Sequence, residues 1–478
     1  MAGMSAQDAG HIDEAIVHFE SALVLAPALI DVRLLLAFAL GANGDSAKAR
    51  TTLNETPQAS TLPQSDLRRL ADAAVQMGAT SIALNVVRGL LEENPNEAEL
   101  HATLGALLHR TGAMEEAGHV LHRAALRWPA HVPTLMNAAL LMVADGHYAG
   151  ALRNYDRVLK ASPTHRTARW HRGLLHLTMG EFASGWTDHE ARRQLAVHSV
   201  KVPVGIPAWD GSRARGKTLL LWGEQGLGDQ IQGVRFAQHL AALGARVVVR
   251  CAPPLCALFA AAPGVSEVFG DADVLPRCDA HVPMLSVPYL LKLFDDSQYD
   301  MGNYLSSSRP QSHAIARTSR RTRVGLVWAG SPGHINDHLR SLPPSYLPSL
   351  LEGVSAQWIA LQVGGRASDL RHSAVAHNAD VVNVAPALTN FVDTANVLTA
   401  LDCVVTVDTS VAHLAGALGV PTLLLLPFVP DWRWQLVRED SPWYSSVRVL
   451  RQPSPGDWAS VIDRVHRELS AGGHARAA

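Results

Sequence analysis

Small and apolar positions recur every 34 residues along the first 199 residues of this chain. Within one period, apolar residues such as Ile12, Ile16 and Phe19 fall at helical spacing on one face. The glycines that mark the period are Gly10, Gly44, Gly78, Gly112, Gly146 and Gly180, and the alanines are Ala15, Ala49, Ala83, Ala117 and Ala151. Such strict phase predicts a stack of similar helix pairs, because only a structural repeat maintains it.

The order of residues within each period fits a helix–turn–helix unit. Glycine allows the turn between the helices, alanine lets them approach closely, and proline ends the second helix. The prolines are Pro27, Pro95, Pro129 and Pro163. This is the tetratricopeptide (TPR) pattern, and it predicts a solenoid of about six repeats over residues 1–199. The chain begins almost at a repeat boundary, which leaves open that the natural protein extends upstream.

The last repeat departs from the pattern. Gly185 replaces an alanine, and the charged Arg192 stands where a small residue is expected. Terminal repeats of a solenoid are atypical because one of their faces has no further repeat to pack against. We therefore expect residues 166–199 to form a cap.

The pattern changes after residue 200. Residues 200–217 are rich in proline and glycine and predict a linker. Beyond them, short apolar runs alternate with helical stretches, of which the first is expected to be one helix ending at Leu243. This alternation predicts parallel sheets with helices on both faces. We expect two Rossmann-like halves, residues 218–310 and 322–478, with a cleft between them and a polar, basic segment joining them.

Composition narrows the class of protein. The 478 residues are 47% hydrophobic and 18% charged, which allows large cores and excludes a disordered chain. A formal net charge of -2 gives no reason to expect a nucleic-acid partner. No secretion signal or transmembrane segment is recognisable, and the four cysteines form no CxxC pair. We expect reduced thiols and a cytoplasmic location.

Two loops carry candidate chemistry. In the first, an apolar strand runs into GEQGLGDQ, where Gly226 and Gly228 permit tight turns and Asp229 stands at the start of a helix. Asp229 could be a general base or could simply cap the helix. The loop matches neither a dinucleotide fingerprint nor a P-loop, since no lysine follows its last glycine.

The second loop is the stronger candidate. The sequence CVVTVDTSVAHLAGALGVPTLLLL predicts strand, turn, helix and strand, with Asp408, Thr409 and Ser410 at the turn and His413 one helical turn later. Hydroxyl groups and free N–H groups at a helix N-terminus make a site for a diphosphate. The alternative interpretation is structural: Asp408 and Thr409 cap the helix, and His413 packs beneath the sheet.

Taken together, four motifs carry a family resemblance. The chain resembles the bacterial TPR proteins that carry a heptosyltransferase-like domain of glycosyltransferase family nine. The four motifs are DTSVAHLAGALG, PFVPDWRWQLVRED, WAGSPGHINDHLRSLP and LLLWGEQGLGDQIQ. The architecture is also similar to O-GlcNAc transferase and to TPR flagellin glycosyltransferases. The resemblance implies a TPR solenoid followed by an α/β GT-B domain. It further implies an inverting transfer of sugar from a nucleotide-sugar co-substrate, with no metal and no other cofactor.

The resemblance also suggests roles for individual residues. Asp229 matches the proposed catalytic aspartate, and the segment from Asp408 to His413 matches the donor diphosphate motif. Further candidates for lining the cleft are Gly226, Gly228, Gln230, Asn336, Asp337, Arg340 and Arg433. Arg433 could bind the leaving group as a bidentate donor, or could stack on an indole of a C-terminal aromatic cluster.

Two acidic or histidine-rich features resemble metal sites. Asp271-Ala272-Asp273 matches a DxD motif in a polar loop, and His334 and His338 flank Asp337 without a convincing third ligand. We interpret the first as solvated surface and the second as cleft lining.

The repeats suggest an acceptor. A TPR groove can hold an extended protein segment, so the leading hypothesis is a protein glycosyltransferase, for example of flagellin type. Two alternatives stay open from the sequence. One is a TPR scaffold whose GT-B half only binds a nucleotide, and the other is a heptosyltransferase-like enzyme acting on a glycan or lipopolysaccharide.

Overall fold

A computed structural model describes residues 2–56, 62–195, 203–307, 321–334, 336–372 and 380–471. The chain divides into two compact units, residues 1–168 and residues 169–478, called here the first unit and the second unit. The basic segment expected between the two α/β halves lies mostly outside the described residues. Thr61, which stands in the second repeat where the pattern has proline, also lies outside them.

The first unit is helical throughout its described part. Consecutive helices pair as the repeat predicts. Their bounds are α1 Ala2–Asp8, α2 Ile12–Leu25, α3 Ile30–Ala42, α4 Ser46–Asn54, α5 Gln64–Met77, α6 Thr80–Glu93, α7 Ala98–Arg110, α8 Met114–Arg127, α9 Val132–Ala144 and α10 Tyr148–Ala161.

The residues that define the repeat have the expected conformations. All six period glycines adopt a left-handed backbone, with φ between +73° and +85°. The five alanines are completely buried, each at 0% exposure. Helix α2 ends two residues before Pro27, and α8 ends two residues before Pro129. The helix pairs are therefore built by the turn, contact and stop residues that the sequence pattern indicates.

The last helix pair consists of α11 Arg166–Thr178 and α12 Phe182–His189, and a 3-10 turn, Glu190–Gln194, follows it. The second unit begins within α11, at residue 169. The sequence predicts that the TPR region ends at residue 199, whereas the structure divides the chain after residue 168 and so places nearly all of this helix pair with the α/β region. The physical reason is burial against the α/β region. Trp186 and Arg192 both have 0% exposure there, and Trp186 belongs to the main core of that region.

The first α/β half contains one four-stranded parallel sheet. Its strands are β1 Thr218–Trp222, β2 Arg246–Cys251, β3 Glu267–Gly270 and β4 Ala280–Pro283, in the order β3-β2-β1-β4. Its helices are α13 Leu227–Gly233, α14 Phe236–Ala242, α15 Cys256–Phe259 and α16 Val287–Leu290. The expectation of a single helix ending at Leu243 was wrong. The helix is interrupted between α13 and α14, where the side chain of the buried Arg235 donates to the Gln232 carbonyl oxygen at 2.9 Å.

The second half contains a six-stranded parallel sheet in the order β10-β9-β8-β5-β6-β7. Its strands are β5 Thr322–Val327, β6 Ala356–Ala360, β7 Val381–Asn383, β8 Cys403–Val407, β9 Thr422–Leu426 and β10 Val447–Arg451. Its helices are α17 Asp337–Arg340, α18 Leu347–Glu352, α19 Asp369–His372, α20 Phe391–Thr399, α21 Ser410–Ala417 and α22 Trp458–Ser470. Two parallel sheets in this order form the predicted pair of Rossmann-like halves.

The described part of the predicted linker packs onto the first sheet. Trp209 is 4% exposed, and its backbone N–H donates to the carbonyl oxygen of His281 in β4 at 2.8 Å. All four cysteines are free thiols. Among the described residues, no helix is both long enough and apolar enough to cross a membrane.

Candidate active site

The candidate residues follow the carboxyl ends of parallel strands. In the second sheet, β5 continues towards β6 on one side and β8 continues towards β9 on the other, so the strand order reverses between β5 and β8. Ligands in open α/β sheets bind at such reversal points, beyond the carboxyl ends of the strands. Asp408 follows β8 and the Asn336–Arg340 segment follows β5, whereas Asp229 follows β1 of the first sheet.

Asp229 is the third residue of α13, and Gly226 occupies the N-cap position. Its Oδ2 accepts a hydrogen bond from the Gly226 N–H at 2.7 Å, so this oxygen reaches back to close the loop. Its Oδ1 is turned towards the second half and accepts from the Arg433 guanidinium. One oxygen thus has the structural role that the sequence allowed, and the other faces the cleft.

The opposite wall is the start of α21. Thr409 is its N-cap residue in an extended conformation, and its side chain makes no capping hydrogen bond. The Thr409 hydroxyl instead lies 3.3 Å from the Thr406 hydroxyl. Ser410 is the first helical residue and is half-buried. Because no side chain caps this helix end, its first N–H groups and the positive end of its dipole are available to an anion.

The two helices touch at Gly228. A Cβ atom placed there would lie 2.8 Å from Cδ2 of His413 and 3.5 Å from the Ser410 Cα. Since contacts below 3.0 Å are hardly ever tolerated, the start of α13 can approach α21 this closely only with glycine at this position. The sequence motif GLGD is therefore explained by contact between the two halves of the domain.

Arg433 connects the second half to α13 of the first half. Its Nη2 donates to Oδ1 of Asp229, its Nη1 donates to Asp431 at 2.8 Å, and its Nε donates to Gln232 at 2.7 Å. The guanidinium carbon also lies 4.2 Å from the centre of the Trp432 ring. Of the two roles considered from the sequence, the stacking on an indole is present, and the guanidinium donors are directed to Asp229, Asp431 and Gln232. Binding of the leaving group by Arg433 stays a prediction.

His413 is almost fully buried. Its Nδ1 lies 2.9 Å from the Tyr444 hydroxyl, its ring stacks on Trp434 at 5.2 Å, and its Nε2 is 4.0 Å from Oδ1 of Asp408. Burial, reinforced by Arg433, holds the pKa of His413 well below its usual value. The imidazole is therefore neutral at pH 7 and contributes packing and hydrogen bonding rather than charge.

Two carboxyl groups of the site have raised pKa values. Burial raises the pKa of Asp229, and Arg433 only partly opposes this. Burial and the neighbouring Asp431 raise the pKa of Asp408 to about 7. A carboxylate with a raised pKa is a better proton acceptor near neutrality, and such perturbed groups concentrate at functional sites.

The remaining predicted cleft residues have more varied surroundings. Gln230 is buried and accepts from the Ala252 N–H at 2.9 Å, so it holds the β1 and β2 loops together within the first half. Asp337 is 7% exposed and accepts from the Ser341 hydroxyl at 3.0 Å. Arg340 is half-buried and lowers the pKa of both Asp408 and His413, so its charge acts on the α21 wall. Asn336 is exposed at the start of α17.

The metal-like motifs are not assembled into a site. The Asp273 carboxylate accepts from the Gly270 N–H at 2.7 Å and closes its own loop. Within the described ranges, no three His, Cys, Asp or Glu side chains converge in a manner suited to a metal ion.

Sequence reasoning missed several residues of the site. Asp431 lies two residues before Arg433 in the quoted motif and raises the pKa of both Asp229 and Asp408. Gln232 orients Arg433, and Glu224, two residues before Gly226, is buried against Arg192. The signal for Arg192 was present as a charged residue at a small-residue position, but its partner lies 32 residues away and has no local pattern.

Comparison with known proteins agrees with this architecture. Tetratricopeptide repeat models match residues 6–72, 68–131 and 136–184. The model for glycosyltransferase family 9 (heptosyltransferase) matches residues 357–449, which include α21 and Arg433. Protein FlbA of Caulobacter vibrioides is 24% identical over 439 residues, covering 84% of this chain and 72% of its own length.

Solved structures similar to parts of the chain include the E. coli ADP-heptose lps heptosyltransferase II. It is 17% identical with a TM-score of 0.39, covering 53% of this chain and 98% of that chain. A tetratricopeptide repeat protein from Parabacteroides merdae is 21% identical with a TM-score of 0.33, covering 39% of this chain and 75% of that chain.

The repeats and the paired α/β halves, together with the family models they match, define a glycosyltransferase with an N-terminal TPR region. More particularly, the second of the two α/β halves is similar to glycosyltransferase family 9 (heptosyltransferase) over residues 357–449.

Proposed function

We propose that this protein is an inverting, metal-independent glycosyltransferase that uses a nucleotide-sugar donor and glycosylates a protein held in the TPR groove. The observation that carries the proposal is that α13, the helix of the first half that contains Asp229, packs at Gly228 directly against the start of α21 in the second half. Arg433 lies between them and contacts Asp229. A base and an anion-binding wall are the two elements that displacement at an anomeric carbon requires.

In the proposed reaction, Asp229 accepts the proton of the acceptor hydroxyl as the oxygen forms a bond to the anomeric carbon. The bond from that carbon to the donor diphosphate breaks, and its electron pair leaves with the diphosphate. The α21 N-terminus and the cations of Arg433 and Arg340 stabilise the negative charge that develops. Because protein groups supply this charge stabilisation, the step requires no metal.

The repeats support a protein acceptor. A TPR solenoid presents an extended groove that suits an unfolded or loop segment of a partner protein. The charge and composition of the chain offer no comparable support for nucleic acid, and a cytoplasmic protein is the acceptor class we propose.

The proposal is tested with Asp229→Asn in the full-length protein. This change keeps the size of the side chain and an acceptor for Gly226, but it removes the base. We expect transfer to fall by about 10²- to 10⁴-fold while the affinity for the donor nucleotide is retained. Transfer of labelled sugar to proteins separated by gel electrophoresis measures the reaction. Full activity of the variant would refute the assigned role, and label found only in glycan or lipid would refute the protein acceptor.

A further inference from the structure

The last segment of the repeat region contacts the loop before Asp229 and the segment that carries Arg433. This segment, residues 182–194, comprises α12 and the 3-10 turn that follows it, and is called here the bridging segment. It reaches the loop before Asp229 through Arg192 and the segment carrying Arg433 through Trp186.

The first contact is a buried ion pair. Arg192 is fully buried, and its Nε and Nη2 donate to the two carboxylate oxygens of Glu224 at 3.0 and 2.6 Å. Glu224 also accepts from the Leu285 N–H at 3.2 Å. The loop between β1 and α13 is thus fastened at Glu224 by Arg192 and closed at Gly226 by Asp229.

The second contact is aromatic. The Trp186 ring packs edge-on against Trp432 with centroids 5.3 Å apart, and its indole N–H donates to the Tyr299 hydroxyl at 2.7 Å. Trp432 is the ring on which the Arg433 guanidinium stacks. The bridging segment therefore supports the group that faces Asp229 as well as the loop that carries it.

A buried ion pair is a poor source of stability. Removing two charges from water costs several kcal/mol per ion, and apolar replacements of similar volume are often neutral or stabilising. Arg192 nevertheless occupies a position where the repeat pattern has a small residue. Its guanidinium donates to both carboxylate oxygens of Glu224, in the loop that leads to Asp229. Stability alone does not account for this arrangement.

We propose that Arg192 is a positioning residue of the active site, which acts through Glu224 to fix the loop that places Asp229 in the cleft. This inference rests on the proposed role of Asp229 as the base. Arg192 itself does not touch the reacting groups, because its donors are directed to Glu224, Ser286 and Glu190.

Glu224 also affects the base electrostatically. Burial is the main cause of the raised pKa of Asp229, and the negative charges of Asp431 and Glu224 add to it. The groups that oppose it are Arg433 and the Gly226 N–H. His334 is also in electrostatic contact with Asp229. Removing the charge of Glu224 therefore lowers the pKa of Asp229.

The test uses Glu224→Gln and Arg192→Lys in the full-length enzyme. We expect kcat to fall on the order of 10- to 100-fold, the loss associated with a misplaced catalytic group, with little change in the donor KM. In Glu224→Gln the acidic limb of the pH profile of kcat should also move to lower pH. A purely structural role would not move this limb.

Asp188→Asn is the matched control. It breaks the Arg172–Asp188 pair of 2.6 Å on the same helix pair without altering Glu224. We expect wild-type kcat and an unmoved acidic limb. An equal loss of kcat in this control would overturn the inference, because any damage to the helix pair would then suffice.

A double variant guards against failure to fold. Arg192→Met with Glu224→Gln removes both charges of the buried pair, while Glu190 keeps its contacts with Arg193 and the Ser286 hydroxyl. We expect this variant to fold and to show the same loss of kcat. Wild-type kcat in this variant, with Asp229→Asn inactive, would overturn the inference and leave the proposed function standing. Full activity of Asp229→Asn would instead refute the proposed function.

Discussion

Asp408→Asn should stabilise the second unit at neutral and alkaline pH, although it removes a side chain from the candidate site. The Asp408 side chain is 13% exposed, and burial together with Asp431 raises its pKa from 3.8 to about 7. Arg340 and Arg433 act in the opposite direction but do not restore the ordinary value. Ionising this carboxyl therefore opposes folding, as is expected of a group kept for function rather than for stability.

The size of the effect follows from the shift in pKa. One pKa unit corresponds to about 1.4 kcal/mol, so a shift from 3.8 to about 7 makes the ionised form unfavourable by up to about 4 kcal/mol. Below pH 3.8 the group is protonated in both states and has no effect on stability. Between pH 3.8 and about 7 only the unfolded chain loses the proton, so wild-type stability falls as the pH rises. Above pH 7 the full penalty applies. An asparagine does not titrate, so the advantage of the variant should grow over this range and then level off.

Urea unfolding followed by tryptophan fluorescence measures this difference between pH 4.5 and 8.5. The signal reports the second unit, because every tryptophan except Trp128 lies in residues 169–478. Asp457→Asn is the control. Its hydrogen bonds with Ser460 hold the pKa of Asp457 below the usual value, so its contribution is already complete at pH 4.5 and lost only at lower pH. We expect a destabilisation independent of pH in this control. If the Asp408→Asn difference does not change with pH, or if that variant is less stable than wild type at pH 8, the reasoning is wrong.

Three further predictions follow from single contacts. Arg433→Met should weaken nucleotide affinity by about 10- to 100-fold, because it removes about one charge-assisted hydrogen bond to the donor. Titration calorimetry measures the affinity, and an unchanged value would exclude Arg433 from the donor site. Gly228→Ala should destabilise the second unit by about 1 to 3 kcal/mol and lower kcat, because its Cβ would lie 2.8 Å from His413; wild-type stability in urea would contradict the close approach. Gly112→Ala should cost the first unit about 1 to 2 kcal/mol through its φ of +80°, seen in circular dichroism melts, without changing kcat.

The fold was largely accessible from the sequence because its signals are local. The period glycines dictate left-handed turns and the period alanines dictate helix contacts, and both act within one repeat. The apolar runs that became β1, β2, β5 and β8 are continuous because parallel strands are buried on both faces. Strand β4 is not recognisable as an apolar run, since AHVP carries histidine and proline and only its pairing with β1 identifies it.

The site was accessible only in part. Asp229 and Asp408 stand in recognisable turns at the carboxyl ends of strands, which is why the motif analysis found them. Asp431 and Glu224 escaped because their importance depends on partners that are distant in sequence: Arg433 with Asp229, and Arg192. Contacts of this kind are set by how the two halves and the last helix pair pack together, and no local pattern encodes them.

We propose that Asp229 and the start of α21 together bind a nucleotide-sugar donor. Thermal-shift titration of the full-length protein with UDP, GDP, ADP and CMP, and with their sugar conjugates, tests it most directly, because selective binding stabilises the folded state by mass action. We predict saturable stabilisation by one nucleotide class, retained in Asp229→Asn and reduced in Arg433→Met. The absence of stabilisation by every nucleotide, with and without candidate acceptor proteins, would contradict the account.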